Sequence, residues 1–288
     1  MTQMDVLPGV FARRDPANPA PVLFEIPRSG SDYPPDFRSI ASLTDLQRSV
    51  STHVEAAYAD VVDAGATWLY AFFPNAYIDA NRHELDIDPD SLDGAWPQPL
   101  QPSPKSKAGI GLIPSICAGS KPIYDAKLTV EAVRSRLDRY YWPYHNEVSR
   151  LLRTFRETRG VAVHLSCHSM TSLITSGPDA GQHRSDFDLG DRNGTTCGAE
   201  MTDLVAETLS SFGYKVTRNR HFVGAESVRK HGDPSRGIHS LQIEMNRSLY
   251  MDDATRARNG RFPKVQAHLA ALAERVVAFA CTRTNVPN

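Results

Sequence analysis

The chain has 288 residues, of which 41% are hydrophobic and 23% are charged, and its formal net charge is -1. This length and composition are typical of a globular protein with a full hydrophobic core. The near-neutral charge gives no basis for binding nucleic acid or an anionic membrane, and no apolar run approaches the roughly 20 residues that span a bilayer. The N-terminus lacks the basic and apolar segments of a secretory signal, so we expect a cytoplasmic protein.

Strand and helix patterns alternate along the first part of the chain. A short apolar run at 21–27 predicts the first strand, and apolar residues at three- and four-residue steps predict a helix over 42–64. Strand-like segments follow at 67–73 and 76–79. The stretch over 83–120 is rich in Pro, Gly, Ser and Asp and has little periodicity, which predicts a loop-rich insertion.

The second part of the chain continues this alternation. A helical region is predicted over 130–158, in which Pro143 should introduce a kink or start a second helix. The apolar run at 161–167 is typical of a strand buried on both faces. The remaining predicted elements are a helix at 200–212, strands at 215–217 and within 237–252, and a closing helix at 263–281. We therefore predict a single α/β domain over 1–288, with three layers in which helices cover both faces of a mixed, mostly parallel sheet.

Four polar clusters come directly after predicted strands, at 27–30, 79–82, 168–170 and 244–247. In sheets of this type, ligands bind at the carboxyl ends of the strands. We therefore expect the four clusters to form one site.

Glu244 is the most informative residue of these clusters, because it lies inside an apolar strand-like segment and is followed by Asn246 and Arg247. Burying a carboxylate costs several kcal/mol unless something pairs with it. Either Glu244 has a functional role, or strand alternation points it to solvent while Ile243 and Met245 face the core.

The other candidate residues leave similar alternatives open. His168 suits a metal ligand or a general base, or it caps its strand on a backbone carbonyl. Arg82, preceded by Asn81, either binds a carboxylate in two parallel hydrogen bonds or forms an internal salt bridge. His53 and Glu55 lie on the predicted helix, where an exposed surface position is the simpler interpretation of His53. The sequence contains no H-E-x-x-H motif and no paired C-x-x-C motifs, which would predict a metal site more strongly.

Taken together, the clusters resemble the N-formylglutamate amidohydrolase family. The resemblance covers most of the chain and is carried, in chain order, by Pro27-Arg-Ser-Gly30 with Tyr33-Pro34, Ile78-Asp-Ala-Asn-Arg82, Tyr140-Tyr-Trp-Pro-Tyr-His145, Ser166-Cys-His-Ser-Met170, Leu189-Gly-Asp-Arg-Asn-Gly-Thr-Thr-Cys197 and Leu241-Gln-Ile-Glu-Met-Asn-Arg-Ser-Leu-Tyr-Met251. The Asp-x-Asn-Arg segment and the last motif are the specific ones.

The resemblance implies an α/β fold like that of zinc carboxypeptidases, phosphorylase-like hydrolases and aspartoacylase-type deacylases. It implies that His168 binds zinc or another divalent metal, that Asn81 and Arg82 bind the substrate carboxylate, and that Glu244 activates a metal-bound water. The implied reaction is hydrolysis of a small N-acyl acidic amino acid such as N-formylglutamate, a reaction of histidine catabolism.

Two positions depart from the family pattern. Arg28 stands where the family has a histidine that would be a metal ligand, and Ser166 stands where it has an aspartate. An arginine keeps its proton and cannot bind a metal. We therefore expect His53 and Glu55 to complete the metal site, and Arg28 and Arg247 to join the residues that bind substrate. The alternative is a non-catalytic, metal-free homologue that binds an acidic metabolite. The sequence does not predict the oligomeric state.

Overall fold

The computed structural model describes residues 3–175 and 177–284 and contains twelve strands in this part of the chain. They are β1 (Gln3–Leu7), β2 (Phe11–Asp15), β3 (Val22–Ile26), β4 (Thr67–Ala71), β5 (Leu92–Asp93), β6 (Ile116–Cys117), β7 (Lys121–Pro122), β8 (Leu128–Thr129), β9 (Ala162–Met170), β10 (Phe187–Gly190), β11 (Val216–Arg218) and β12 (Ile238–Asn246). Eight of them form the central sheet, in the order β1-β2-β4-β3-β9-β12-β10-β11. Strands β4, β3, β9 and β12 are parallel, whereas β1, β2 and β10 pair antiparallel with their neighbours toward the sheet centre. The mixed, mostly parallel sheet is thereby confirmed.

Helices cover both faces of this sheet. They are α1 (Leu43–Gln47), α2 (Val54–Ala57), α3 (Pro104–Lys107), α4 (Val130–Arg136), α5 (Trp142–Arg159), α6 (Ala199–Ser211), α7 (Glu226–His231) and α8 (Phe262–Cys281). The apolar sides of α2, α6 and α8 pack on one face of the sheet, and those of α4 and α5 pack on the other. The predicted three-layer α/β architecture is therefore correct. None of the helices in the described part of the chain is long and apolar enough to cross a membrane.

Each of the two central strands, β9 and β12, has a mainly apolar side and a mainly polar side. Six of their odd-numbered residues are apolar and join the core beneath α8: Val163, Leu165, Cys167, Leu241, Ile243 and Met245. Most of their even-numbered residues point to the opposite face and are polar, although they are buried: His164, Ser166, His168, Ser240, Gln242, Glu244 and Asn246. The face on the α5 side therefore carries a buried polar strip that ends at the carboxyl edge of the sheet.

The helix predicted over 42–64 is wrong as a single element. The structure has the short helices α1 and α2, separated by a loop, and a 3-10 turn at Ala59–Val62. His53 lies in this loop with a left-handed φ of 66°. The loop is held by its polar groups, because Ser51 N donates to Arg28 O at 2.8 Å and Ser51 Oγ accepts from Ser169 N at 3.2 Å. These tertiary bonds outweigh the helical preference of the local sequence.

Two other expectations are corrected or resolved. The strand predicted at 76–79 is a turn, in which the backbone N–H groups of Tyr77 and Ile78 both donate to Pro74 O. The helical region predicted over 130–158 is continuous, but a π-helical turn at Leu137–Tyr141 separates α4 from α5 and places Pro143 in the first turn of α5. Proline is tolerated there because the N–H that it lacks would have no helical partner.

Candidate active site

His168 and Glu244 lie side by side in the sheet. They are register partners on the parallel strands β9 and β12, so their side chains leave the same face. Only 2% of His168 and 5% of Glu244 is exposed. The alternative in which Glu244 points to solvent is therefore wrong, and the imidazole and the carboxylate share one buried environment.

Glu244 is a carboxylate enclosed within the buried polar strip. Burial raises the pKa of Glu244 to about 7, and the positive charge of Arg28 partly opposes this effect. Gln242 Nε2 donates to Glu244 Oε1 at 3.0 Å, while Gln242 Oε1 accepts from Ala225 N at 2.9 Å. The second bond fixes which end of the Gln242 amide faces Glu244. The result is a held carboxyl group that exchanges a proton near neutral pH.

The hydrogen bonds of His168 determine which of its nitrogens carries the proton. Asn81 Oδ1 accepts from Ser227 N at 2.8 Å, so the Asn81 amide nitrogen faces His168 Nε2, at 3.2 Å. Ser166 Oγ lies 3.0 Å from the same nitrogen. Burial and the nearby Arg28 lower the pKa of His168 to about 3, so the ring is neutral. Nε2 is therefore the acceptor and Nδ1 carries the hydrogen.

The Nδ1–H of His168 is a buried donor without a partner among the described residues. A buried polar group left unpaired is costly, and such groups are uncommon in folded proteins. A bound oxygen atom placed against Nδ1 would remove this cost. The imidazole is thus set up to donate a hydrogen bond to a ligand.

Arg28 and Arg82 place positive charge on the β3 and β4 side of this pair. Arg28 Nε is 3.5 Å from Asp79 Oδ1, and it has no hydrogen-bond partner within the described ranges. Arg82 Nε donates to Ile110 O at 3.1 Å and its Nη1 donates to Asn81 O at 2.9 Å, which leaves Nη2 uncommitted. Arg82 forms no salt bridge among the described residues; two backbone carbonyls anchor it, and it still offers N–H groups to a carboxylate.

Arg247, predicted to bind substrate, is engaged elsewhere. Its Nη1 donates to Arg48 O at 3.0 Å, its Nη2 to Val50 O at 2.9 Å and its Nε to Ser169 Oγ at 3.3 Å. Each guanidinium nitrogen therefore bonds to the protein itself. The arrangement fastens the loop after α1 to the end of β12.

The structure does not bring His53 and Glu55 together with His168. They line a separate cavity of about 330 Å³ with Ser29 and Arg256, and His168 is not part of its wall. His53 Nε2 donates to Arg256 O at 3.0 Å. The prediction that these three residues form one metal site finds no support among the described residues, because the helix expected over 42–64 is broken and His53 and Glu55 line another cavity.

A divalent metal does not fit the residues around His168. Among the described residues, the one group of three ligand-type side chains within 4.8 Å of one another is His83, Glu84 and Glu226. The carboxylates of that group already pair with Arg229 and Lys230. The ring nitrogen of His168 that has no partner among the described residues carries a hydrogen rather than a lone pair, and Arg28 adds positive charge nearby. A zinc site needs about three protein ligands with free lone pairs.

Comparison with known proteins agrees with the sequence motifs. The family model for N-formylglutamate amidohydrolase matches residues 20–251, which is most of the chain and includes every residue of the site described above. The chain belongs to the N-formylglutamate amidohydrolase family. The chain is 28% identical to the N-formylglutamate deformylase of Pseudomonas putida over 239 residues, covering 81% of this chain and 82% of the relative.

Solved structures extend the agreement to the fold. The crystal structure of N-formylglutamate amidohydrolase from Ralstonia eutropha JMP134 is 38% identical, with a TM-score of 0.90, and the match covers 94% of this chain and 98% of that one. A gene product of Agrobacterium tumefaciens, at 16% identity and a TM-score of 0.68 over 94% and 95% of the two chains, shares the fold. The amidohydrolase family thus accounts for nearly the whole described chain.

Several residues of the amidohydrolase site were missed from the sequence. Ser227 fixes the Asn81 amide through its N–H, and its own Oγ donates to Glu25 Oε2 at 2.6 Å. His164 Nε2 lies 3.1 Å from the same Glu25 oxygen. Burial favours a higher pKa for Glu25, but the bonds from His164 and Ser227 outweigh it and hold the pKa below its ordinary value. The polar even-numbered positions of β9 and β12 were the available signal.

Proposed function

We propose that this site binds a small N-acyl derivative of an acidic amino acid and hydrolyses its amide bond, with N-formylglutamate as the leading substrate. The observation that carries the proposal is the buried pair formed by Glu244 and the neutral His168. The names of the bacterial relatives, N-formylglutamate deformylase and N-formylglutamate amidohydrolase, support the choice of substrate.

In this proposal the pair performs general acid–base catalysis. The ionised Glu244 takes a proton from a water molecule while the water oxygen bonds to the formyl carbon. His168 Nδ1–H donates to the carbonyl oxygen, which gains negative charge as the tetrahedral intermediate forms. Glu244 then gives its proton to the amide nitrogen, the carbon–nitrogen bond breaks, and formate and the amino acid leave.

The charged residues beside His168 and Glu244 orient the substrate. The free N–H groups of Arg28 and Arg82 suit a carboxylate, and the low polarity of the site strengthens such an ion pair. Asp79 holds Arg28 in place without fully occupying it, because it also accepts from Asn81 N at 2.9 Å. The recognition of an acidic substrate therefore does not require Arg247.

The metal dependence that the resemblance implies is not part of this proposal, because the residues around His168 do not fit a metal. The test is formate release from N-formylglutamate by protein incubated with a strong chelator and checked for metal content. We expect activity to persist in the metal-free protein. Activity that disappears with the metal and returns with zinc would refute the metal-free mechanism.

A second candidate function is metal-free binding of an acidic metabolite without catalysis. It is favoured by Arg28, which occupies the position of the histidine in the family motif. One experiment distinguishes the two functions. It compares formate release by the wild type, by Glu244→Gln and by the exposed control Glu157→Gln. Hydrolysis lost only in Glu244→Gln supports the enzyme. Absence of hydrolysis in all three, with thermal stabilisation by glutarate, supports the binder.

A further inference from the structure

The segment between β9 and β10 brings a further arginine to the site. Leu173 and His183 form an isolated antiparallel bridge within it, and Arg184 N donates to Ser172 O at 3.0 Å. Ser172 is itself fixed, because its N and Oγ both donate to Asp253 Oδ2, at 3.1 and 2.7 Å. The backbone of Arg184 is therefore well anchored at the base of this segment.

The guanidinium of Arg184 is held in place but left without an acceptor. Its Cζ lies 5.2 Å from the centroid of the Phe222 ring, a stacking distance for a cation and an aromatic ring. Its Nε is buried and has no hydrogen-bond partner in the part of the chain that the structure describes. An arginine fixed by packing, with unpaired N–H groups, is suited to accept an external anion.

The acidic residue beside Arg184 is already occupied. Asp188 accepts from Thr217 Oγ1 at 2.8 Å, from His221 N at 2.7 Å and from Phe222 N at 2.8 Å. These bonds, from β11 and from the loop that follows it, occupy both carboxylate oxygens. Asp188 therefore does not neutralise Arg184 by pairing with it.

The position of Arg184 complements that of Arg28. Asp188 on β10 is the register partner of Glu244 on β12. Arg28 follows β3, which lies in the opposite direction from β12 in the sheet, beyond β9. The chain next to Arg184 is tied to the end of β12, because Asn246 Nδ2 donates to Ser185 O at 3.1 Å. In keeping with this position, Arg28, Arg247 and Arg184 each lower the pKa of the Glu244 carboxyl, and of these Arg247 is already bonded to the protein. The reactive pair thus lies between two separate positive groups, as a substrate with two carboxylates requires.

We propose that Arg184 is a specificity-determining residue that binds the side-chain carboxylate of a dicarboxylic substrate, while Arg28 and Arg82 bind its α-carboxylate. The inference rests on the acidic substrate of the proposed function. Arg184 selects N-acyl derivatives of glutamate or aspartate over those of their amides and of neutral amino acids.

The test compares N-formylglutamate with N-formylglutamine, which differ only in the charge of the side chain. In the wild type we expect kcat/KM to favour the diacid, and in Arg184→Gln we expect this preference to fall by roughly 10- to 100-fold. Arg184→Lys should restore part of it, because it keeps the charge but not the planar geometry. The matched control is Arg220→Gln, which removes an exposed arginine of the neighbouring loop. A preference that stays unchanged in Arg184→Gln overturns the inference.

Binding separates this inference from the proposed hydrolysis. Calorimetry with glutarate and butyrate measures the contribution of the second carboxylate in the absence of any reaction. Tighter binding of glutarate that is lost in Arg184→Gln supports the inference even if no substrate is hydrolysed. Equal affinity of the wild type for glutarate and butyrate refutes it, even if N-formylglutamate is hydrolysed.

Discussion

The Asn81 amide donates to His168 Nε2 over 3.2 Å, and its orientation is imposed from outside the pair by the backbone N–H of Ser227. A backbone N–H is always a donor, so the chain of bonds has one direction. It ends at His168 Nδ1, whose hydrogen is left for a ligand. The proton position on the imidazole is therefore set by the fold.

Reversing the direction of these hydrogen bonds should move the proton of the His168 ring to the other nitrogen. In Asn81→Asp the side chain can accept from Ser227 N but cannot donate to His168 Nε2. We expect the proton to move to Nε2, which nitrogen-15 shifts of the His168 ring detect, and the activity to fall by about 100-fold because the oxyanion loses its donor. An Asn81→Asp protein with the wild-type tautomer would contradict the assignment. The exposed Asn193→Asp is a suitable control for the added charge.

Glu244 should reduce the stability of the protein above neutral pH. The pKa of Glu244 is about 7 in the folded state, against 4.5 for an ordinary glutamate. Between these values the folded state holds a proton that the unfolded state has lost, so the free energy of unfolding falls as pH rises through 7. Glu244→Gln removes this effect. We expect the variant to be more stable than the wild type by about 1–3 kcal/mol at pH 8 and by much less at pH 4.5.

Urea denaturation at the two pH values measures the difference. The exposed Glu157→Gln serves as the control for removing a charge. Equal effects of Glu244→Gln at pH 4.5 and pH 8 would show that the Glu244 pKa is not raised.

The rate of hydrolysis should depend on the same titration. Glu244 acts as a base only when ionised, so kcat/KM should rise about tenfold per pH unit below pH 7 and level off above it. Because the Arg28 charge lowers the Glu244 pKa, Arg28→Gln should displace this profile to higher pH, in addition to weakening substrate binding. Profiles of kcat/KM with pH for both proteins provide the measurement. A wild-type profile without a titration near pH 7 would exclude Glu244 as the base.

Arg247 should contribute to stability rather than to recognition of the substrate. Its three nitrogens bond to Arg48 O, Val50 O and Ser169 Oγ, and only 7% of the residue is exposed. Arg247→Ala removes the donor from the buried Val50 O and from the partly buried Arg48 O, so we expect a loss of about 2–4 kcal/mol in the free energy of unfolding. Thermal denaturation and the dissociation constant for glutarate are the measurements. If Arg247→Ala has normal stability but a much lower affinity for glutarate, Arg247 binds the substrate.

The sequence predicted the sheet and the central pair of the site because both depend on local patterns. Alternating strands and helices indicate a parallel sheet, and a carboxylate in an apolar strand stands out wherever the strand lies. Glu244 and His168 were found in this way. Their register could not be predicted, because pairing between β9 and β12 joins residues about 76 positions apart.

The parts of the site that could not be predicted depend on tertiary bonds. His53 and Glu55 were expected to complete the site of His168 because Arg28 replaces the histidine of the family pattern. The helix expected to carry them over 42–64 is broken where Ser51 bonds to Arg28 and Ser169. The roles of Ser227 and Arg184 have no local signature. One acts through a backbone N–H, and the other through the absence of a partner among the described residues.

The imidazole of His168 and the carboxyl group of Glu244 belong to the long strands β9 and β12 and not to the connections around them. Mutational drift in those connections can change which amide is admitted while leaving the proton-transfer geometry untouched. Altered selectivity in natural or engineered variants should therefore arise mainly from replacements around Arg184 and Arg28, with β9 and β12 retained as a common reaction platform.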